Sequence, residues 1–384
     1  MKSGLQVIVL IASFFIFFAC TIDINEEDTN VLSINNNEMG NSPEVINSKH
    51  KRRLIQSVKT NLRMNKNYIK EKVSEIENYS AQIGNDLTSL FETTAPEDLD
   101  ISQMDTYYEY FPGPPESSIY HVKDDYGWGV ALASGFVPIN DEIKQKLKLF
   151  EMYEKSTSSL HDAYYNSGMI PDLWILDKQA IGFAYPYQDQ RYTIPYGFDI
   201  ASLYEWGLIR FDWFDIAENA GEAVWSPIFI DFQNRFVKAC HTPIYKDGKM
   251  PTVIAVHLDL LKLAENTIDN SPYNLMILSK DSVTGNYLMI GANEAIQEAI
   301  NIVDYTPKDW APTEIVDKIM YVEQDLNLEY SDKPIDLQDF AVKLKQRKNH
   351  FVYTLSGQKF HVLSEPIPEF DMIIVGLVPI PVRN

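Results

Sequence analysis

The residues with chemical potential concentrate between positions 206 and 259. Arg210-Phe-Asp-Trp213-Phe214 precedes Trp225-Ser-Pro-Ile-Phe229-Ile-Asp231, and two apolar runs, Phe236–Tyr245 and Val253–Leu260, then flank Lys246-Asp-Gly-Lys249. Asp-Gly supplies the positive-φ residues of a tight hairpin turn. The β-branched and aromatic runs around it read as paired strands. The rings and the isolated Asp231 sit on the connection into that hairpin. Rings with one or two fixed polar groups are the furniture of a small-molecule pocket. His257 and Asp259, two residues apart, share one face of the second strand. Each residue also has a purely structural alternative: Trp213 and Trp225 as core aromatics, Asp231 as a turn cap, His257 as a hydrogen-bonded core histidine, and Arg210 as a surface or salt-bridged residue.

Reaction chemistry has no comparable signature. The chain lacks G-x-S-x-G, H-E-x-x-H, a Walker lysine loop and G-x-G-x-x-G. Its seven histidines, His50, His121, His161, His241, His257, His350 and His361, include no i,i+4 pair for a helical metal site. We therefore expect no enzyme, no catalytic residue, no cofactor and no metal. The two cysteines, Cys20 and Cys240, make neither a disulfide framework nor a zinc site. Cys240 reads as a small core residue. A formal net charge of −21 excludes nucleic acid, which needs clustered Lys and Arg.

The elements that must position these residues are legible. Residues 1–20 read as a secretory signal whose apolar run ends at Ala19-Cys20, which looks like a lipobox with Cys20 as the lipidation site (a palmitate-type acyl chain). Residues 21–48 read as a solvated, disordered tether. Over 49–92, Ile55, Leu62, Ile69, Ile76, Ile83 and Leu90 recur every seven residues and predict one long helix. Gaps in that seam at Asn65 and Lys72 suggest that it packs on the body of the protein instead of closing a full zipper. Residues 93–117, rich in proline, read as a loop. Strands are expected at 119–122 and 128–133, a helix over 139–167, and a strand pair at 172–177 and 180–186. A second module starts near Tyr273 with strands at 274–278 and 287–290, helical and loop segments over 293–348, and strands at 351–354, 359–363 and 372–378. Strand–turn–strand openings used twice suggest two similar α+β modules in series.

The run over 210–261 resembles the double Cache sensor family, the extracytoplasmic ligand-binding domains of bacterial chemoreceptors and histidine kinases. That family's membrane-distal module carries R-x-W-Y, W-x-x-P-Y-x-D and a strand pair with a D-x-G-K-type turn. The resemblance implies an α+β fold: a long N-terminal helix packed along two PAS-like antiparallel-sheet modules, with residues 93–268 as the membrane-distal, ligand-binding module and 269–384 as the membrane-proximal one, here a spacer. It places Trp206 where the family's first Tyr stands, Phe211 at the Arg that holds a ligand carboxylate, and Trp213-Phe214 at the Trp-Tyr pair. Phe229 and Asp231 match Tyr-x-Asp, and His257 falls where the ammonium-binding Asp closes the site. Phe211 cannot neutralise a carboxylate, and an unpaired buried charge costs several kcal/mol. Arg210, one residue off, and Asp259 are the available substitutes.

These readings combine into an exported, lipid-anchored, sensor-type protein that faces the periplasm or exterior and acts by ligand binding and conformational change. The ligand expected is cyclic, aromatic or weakly cationic, not a plain amino acid. Its signal would pass to a membrane receptor, kinase or transporter. The alternatives are a scavenging lipoprotein that delivers solute to a transporter, and a structural or adhesive surface lipoprotein with a degenerate pocket.

Overall fold

The long helix α1, Ser48–Thr93, is laid down by its apolar stripe. Leu62, Ile69, Ile76 and Ile83 are buried, as are Val58, Val73 and Leu87 between them. Each such side chain contributes about 1.5–3 kcal/mol on leaving water, as an upper estimate. That outweighs the half-buried Lys72–Glu75 pair at the surface of the same helix, since surface pairs give roughly 0–1 kcal/mol. The stripe packs on both sheets of the protein, against β8, β9, β13 and β14 as bounded below. The gap at Asn65 is filled internally, its Nδ2 donating to Asn61 Oδ1 at 3.1 Å. Ser80 Oγ meets Thr242 Oγ1 at 2.7 Å, a polar pin between helix and sheet.

The computed structural model describes residues 48–111, 119–123, 129–134, 139–178, 181–187, 217, 222–231, 235–246, 249–269, 271–281, 284–300, 327–331, 333–346 and 349–381. Cys20, residues 21–47 of the tether and the Asp247-Gly248 turn lie outside them, and Ser48, read as the last residue of the tether, begins α1. After α1 come β1 (Tyr108–Phe111), β2 (Ile119–Val122), β3 (Val130–Ser134), α2 (Asp141–Tyr165), β4 (Leu173–Asp177), β5 (Ile181–Tyr185), β6 (Val224–Trp225), β7 (Phe229–Ile230), β8 (Phe236–Lys246), β9 (Lys249–Asp259) and α3 (Leu260–Asp269). The second half holds β10 (Leu275–Lys280), β11 (Tyr287–Ala292), α4 (Glu294–Ile300), α5 (Ile335–Gln346), β12 (His350–Leu355), β13 (Gln358–Ile367) and β14 (Met372–Pro379). Asn140 caps α2, its side chain accepting from the Ile143 N–H at 3.0 Å, with Asp141 and Glu142 in the first turn.

The two sheets have one plan. The first runs β1-β2-β3-β5-β4-β9-β8-β6, with β7 also paired to β8, and the second runs β11-β10-β14-β13-β12. Counting the first half from β4 and taking β6 and β7, which both pair with β8, as one interrupted strand, both halves read second, first, fifth, fourth, third, all antiparallel. The first sheet merely gains β1, β2 and β3 on the edge of β5. This is the double Cache, PAS-like α+β arrangement implied by the sequence. Strand β1 departs from expectation: it falls in the stretch read as loop, and pairs Tyr108–Phe111 with Val122–Ile119. Helix α3 is likewise new and packs on β11, where a Cβ on Gly291 would come within 2.7 Å of Ala264.

Period-two alternation sorts the first sheet's faces. Ile254, Val256 and Leu258 of β9 and Cys240 of β8 join the core shared with α1. Val237, Ala239 and Ala255, with Phe229, form a separate cluster on the other face, with Trp174 against it. Burial pushes the Cys240 thiol up to about 12, as suits an inert core residue.

The seat of α1 on the second sheet is tight. A Cβ on Gly376 of β14 would stand 2.8 Å from Val58 Cγ1 and 3.6 Å from Leu62 Cδ1. Gly376→Ala is expected to cost about 1–3 kcal/mol by overpacking. Adding Val58→Ala should recover part of that loss in thermal melts, because the two sites share one contact.

Candidate functional site

Four charged or ionisable side chains converge on the face of the first sheet that points away from α1. Asp172 leads into β4, Asp231 follows β7, Arg235 leads into β8 and His257 lies in β9. The β7–β8 connection closes on itself: the Asp231 N–H donates to Arg235 O at 3.0 Å, and the Arg235 N–H donates to Asp231 Oδ1 at 2.9 Å. This aims the guanidinium across the sheet. Arg235 Nε donates to Asp231 Oδ2 at 2.5 Å, and Nη2 to Asp172 Oδ2 at 2.6 Å. His257 is drawn to the same carboxylate, its Nδ1 lying 2.5 Å from Asp172 Oδ1. Its backbone N–H also donates to Asp172 O at 3.1 Å. The side chains of Asp172, Asp231 and His257 are 4–6% exposed, against 21% for Arg235, so the guanidinium is the member of the network with a route to water.

Burial and charge set the acids apart. Burial pushes Asp172 up, but the His257 ring and the Arg235 guanidinium outweigh it and hold the carboxyl below its ordinary range. For Asp231 burial wins: its carboxyl is raised against the pull of Arg235, with the charge of Asp172 adding to the push. One guanidinium thus serves two buried carboxylates, an arrangement that welcomes a second positive charge. Aromatic walls stand beside it. Phe229 meets the His257 ring edge-on, with centroids 5.3 Å apart and planes at 81°. His241 is on the same face one strand over, and burial pushes its imidazole down to about 3, so it is neutral.

One ligand atom each from Asp172, Asp231 and His257 lie within 4.8 Å of one another, a spacing that could hold a metal ion. Arg235 already stands on Oδ2 of both carboxylates, in the place a cation would take.

Of the residues singled out from sequence, Phe229, Asp231 and His257 come together here. Asp259 shares the strand face with His257, but its Oδ1 accepts from the Lys262 N–H at 3.0 Å and so caps α3. Trp206, Arg210, Phe211, Trp213 and Phe214 lie outside the described residues. Trp225 is a core aromatic: its Nε1 donates to Glu77 of α1 at 2.9 Å, and its ring meets Phe370 edge-on. Sequence reasoning missed Asp172 and Arg235. Arg235 carried a signal, standing four residues after an acid and directly before a strand. Asp172 carried none, because only the β4–β9 register brings it to His257.

The fold is a tandem PAS-like body, two antiparallel sheets along one long helix, with this cluster on a face of the first sheet. The chain is similar to the sensory domain of the Campylobacter jejuni chemoreceptor Tlp3, with 11% identity and a TM-score of 0.44 over 86% of this chain and 94% of that one. It is similar to the ligand-binding domain of the same receptor in complex with L-norvaline, with 12% identity and a TM-score of 0.43 over 88% and 96% of the two chains. The ligand-binding domain of the Pseudomonas aeruginosa PAO1 amino acid chemoreceptor PctB, in complex with L-Arg, aligns at 13% identity and a TM-score of 0.34 over 59% and 78%. No family model matches the chain, and no curated protein does. Among the described residues no helix is long and apolar enough to cross a membrane.

Proposed function

We propose that this protein is an extracytoplasmic, lipid-anchored sensor-type protein that binds a small molecule on the face of its first sheet and passes the resulting change to a membrane receptor, kinase or transporter. Cys20 carries the lipid. The observation that supports binding most is the buried pair of carboxylates sharing a single guanidinium, set beside Phe229 and Trp174. A ligand with a weakly cationic group competes with Arg235 for Asp231 or Asp172. Its ring system rests on Trp206, Trp213 and Phe229, where stacking or cation–π contact contributes about 0.5–2 kcal/mol. Phe211 and His257, standing where the double Cache pattern has Arg and Asp, disfavour a plain amino acid. Arg210, Phe214 and Asp259 complete the proposed lining.

Binding energy can shift a conformational equilibrium only by the difference in affinity between two states. Here the element that spans both sheets is α1, so closure at the first sheet is read as a shift of that helix. One observation favours a second reading, a structural surface protein: Arg235 already satisfies Asp231, which leaves the site closed by its own side chains.

A thermal-shift screen with a library of small metabolites separates the two. Sensor function predicts a ligand whose stabilising effect disappears in Trp213→Ala and Asp231→Asn, both still folded. Stabilisation equal to that of the parent in both variants contradicts the assignment of the pocket.

A further inference from the structure

We propose that His350 and His361 form a two-imidazole site for a borderline divalent ion, Zn²⁺ or Cu²⁺, on the second sheet beside the start of α1. The histidines lie on adjacent antiparallel strands. Val352 pairs with His361 and His350 with Leu363, so the two rings are diagonal neighbours on one face of the sheet. His350 Nε2 and His361 Nδ1 stand 3.1 Å apart, with ring planes at 46°. Metal–imidazole bonds of about 2.0–2.1 Å place two nitrogens on one ion roughly 2.8–3.4 Å apart, between right-angled and tetrahedral geometry. The spacing is therefore already that of two ligands on one ion, and only the lone pairs must turn to a common point.

The two rings divide the work. His361 is 8% exposed and set by its strand, whereas His350 is exposed and able to reorient. His361 Nε2 is buried with no hydrogen-bond partner among the described residues, so nothing beyond His350 fixes where this ring keeps its proton. Burial, then the nearby charges of Lys59 and Lys51, lowers the proton affinity of His350, and burial, then Lys51, His350 and Lys359, lowers that of His361. Unprotonated imidazole is the form that ligates a metal. The same lysines oppose any dication, so the imidazoles must supply the affinity. That selects ions that favour nitrogen over Mg²⁺ and Ca²⁺, which need oxygen. Glu365, two positions beyond Leu363, is engaged by Arg63 and Lys66 of α1. Since Leu363 belongs to the core shared with α1, a bound ion would staple β12 to β13 on the face where that helix packs.

The test is calorimetric titration of the full chain, without a histidine tag, with ZnCl₂ and CuCl₂ at pH 7.5. Binding is expected to weaken at least about tenfold in His350→Asn and in His361→Asn, given that loss of a mere outer-shell partner costs ~10–100-fold. His350 is exposed, so its replacement leaves folding intact. Binding should persist in His257→Asn, which disables the acidic trio on the first sheet, and MgCl₂ should give no heat. Zinc and copper binding that survives His350→Asn, that vanishes in His257→Asn, or that is missing from the parent protein overturns the proposal.

Discussion

Arg235→Ala is expected to destabilise the protein by about 3–5 kcal/mol at neutral pH, the loss typical of removing one partner from a buried ion pair. The substitution strips the guanidinium from two carboxylates whose side chains are only 5% and 4% exposed. The pH dependence identifies the cause. Asp172 is held low in the folded parent, so its contribution is present above the unfolded carboxyl pKa and is lost as pH falls through the folded value. Asp231 is raised, so its contribution has the opposite sign, full below the unfolded value and lost as pH rises. Without Arg235 both carboxyls are raised, and the deficit should be largest above pH 6 and shrink toward pH 4. Chemical unfolding of parent and variant at the two pH values measures it. A deficit that is the same at both would mean that Arg235 acts through packing alone.

Glu154→Gln should do the reverse and stabilise the protein at high pH. Glu154 of α2 is fully buried, and burial pushes its carboxyl up to about 7, with Asp162 adding to the rise and the Gly129 backbone and Lys155 opposing it. A folded pKa above the unfolded one gives stability that is complete below about pH 4.5 and lost as pH rises through about 7. At about 1.4 kcal/mol per unit, ionising Glu154 in place costs about 3 kcal/mol by pH 8. The glutamine variant should gain that amount at pH 8 and nothing at pH 4. Equal stability at both pH values would show that Glu154 ionises without penalty. The buried rings around His161, including Tyr79 and Tyr185, belong to the same layer between α1, α2 and β5.

Periodicity made much of this architecture legible. The seven-residue recurrence over Leu62, Ile69, Ile76 and Ile83 located α1 to within a few residues, because one stripe on a helix is visible in one dimension. The paired apolar runs of β8 and β9 and of β10 and β11 were equally plain. What escaped was set by partners distant in sequence. Tyr108–Phe111 is four residues beside prolines, and becomes a strand only because β2 offers an edge. Helix α3 was hidden because the strand was read through to Leu260, whereas Asp259 ends it and caps a helix; the buried positions of that helix, Leu260, Leu263, Ala264, Thr267 and Ile268, have helical spacing. At the site, sequence pointed to Asp231 and His257 but missed Asp172, which meets them only through the pairing of β4 with β9. Charge partners joined across a sheet leave no local trace.

The central claim, that the acids on the face of the first sheet away from α1 hold a reversible small-molecule ligand, is tested most directly by native mass spectrometry of the purified protein. Parent protein carrying a stoichiometric small molecule, or acquiring one from a metabolite extract, and losing it in Asp231→Asn and Trp213→Ala, is the predicted outcome. A parent that stays bare in the extract, or variants that retain the same adduct, would contradict it.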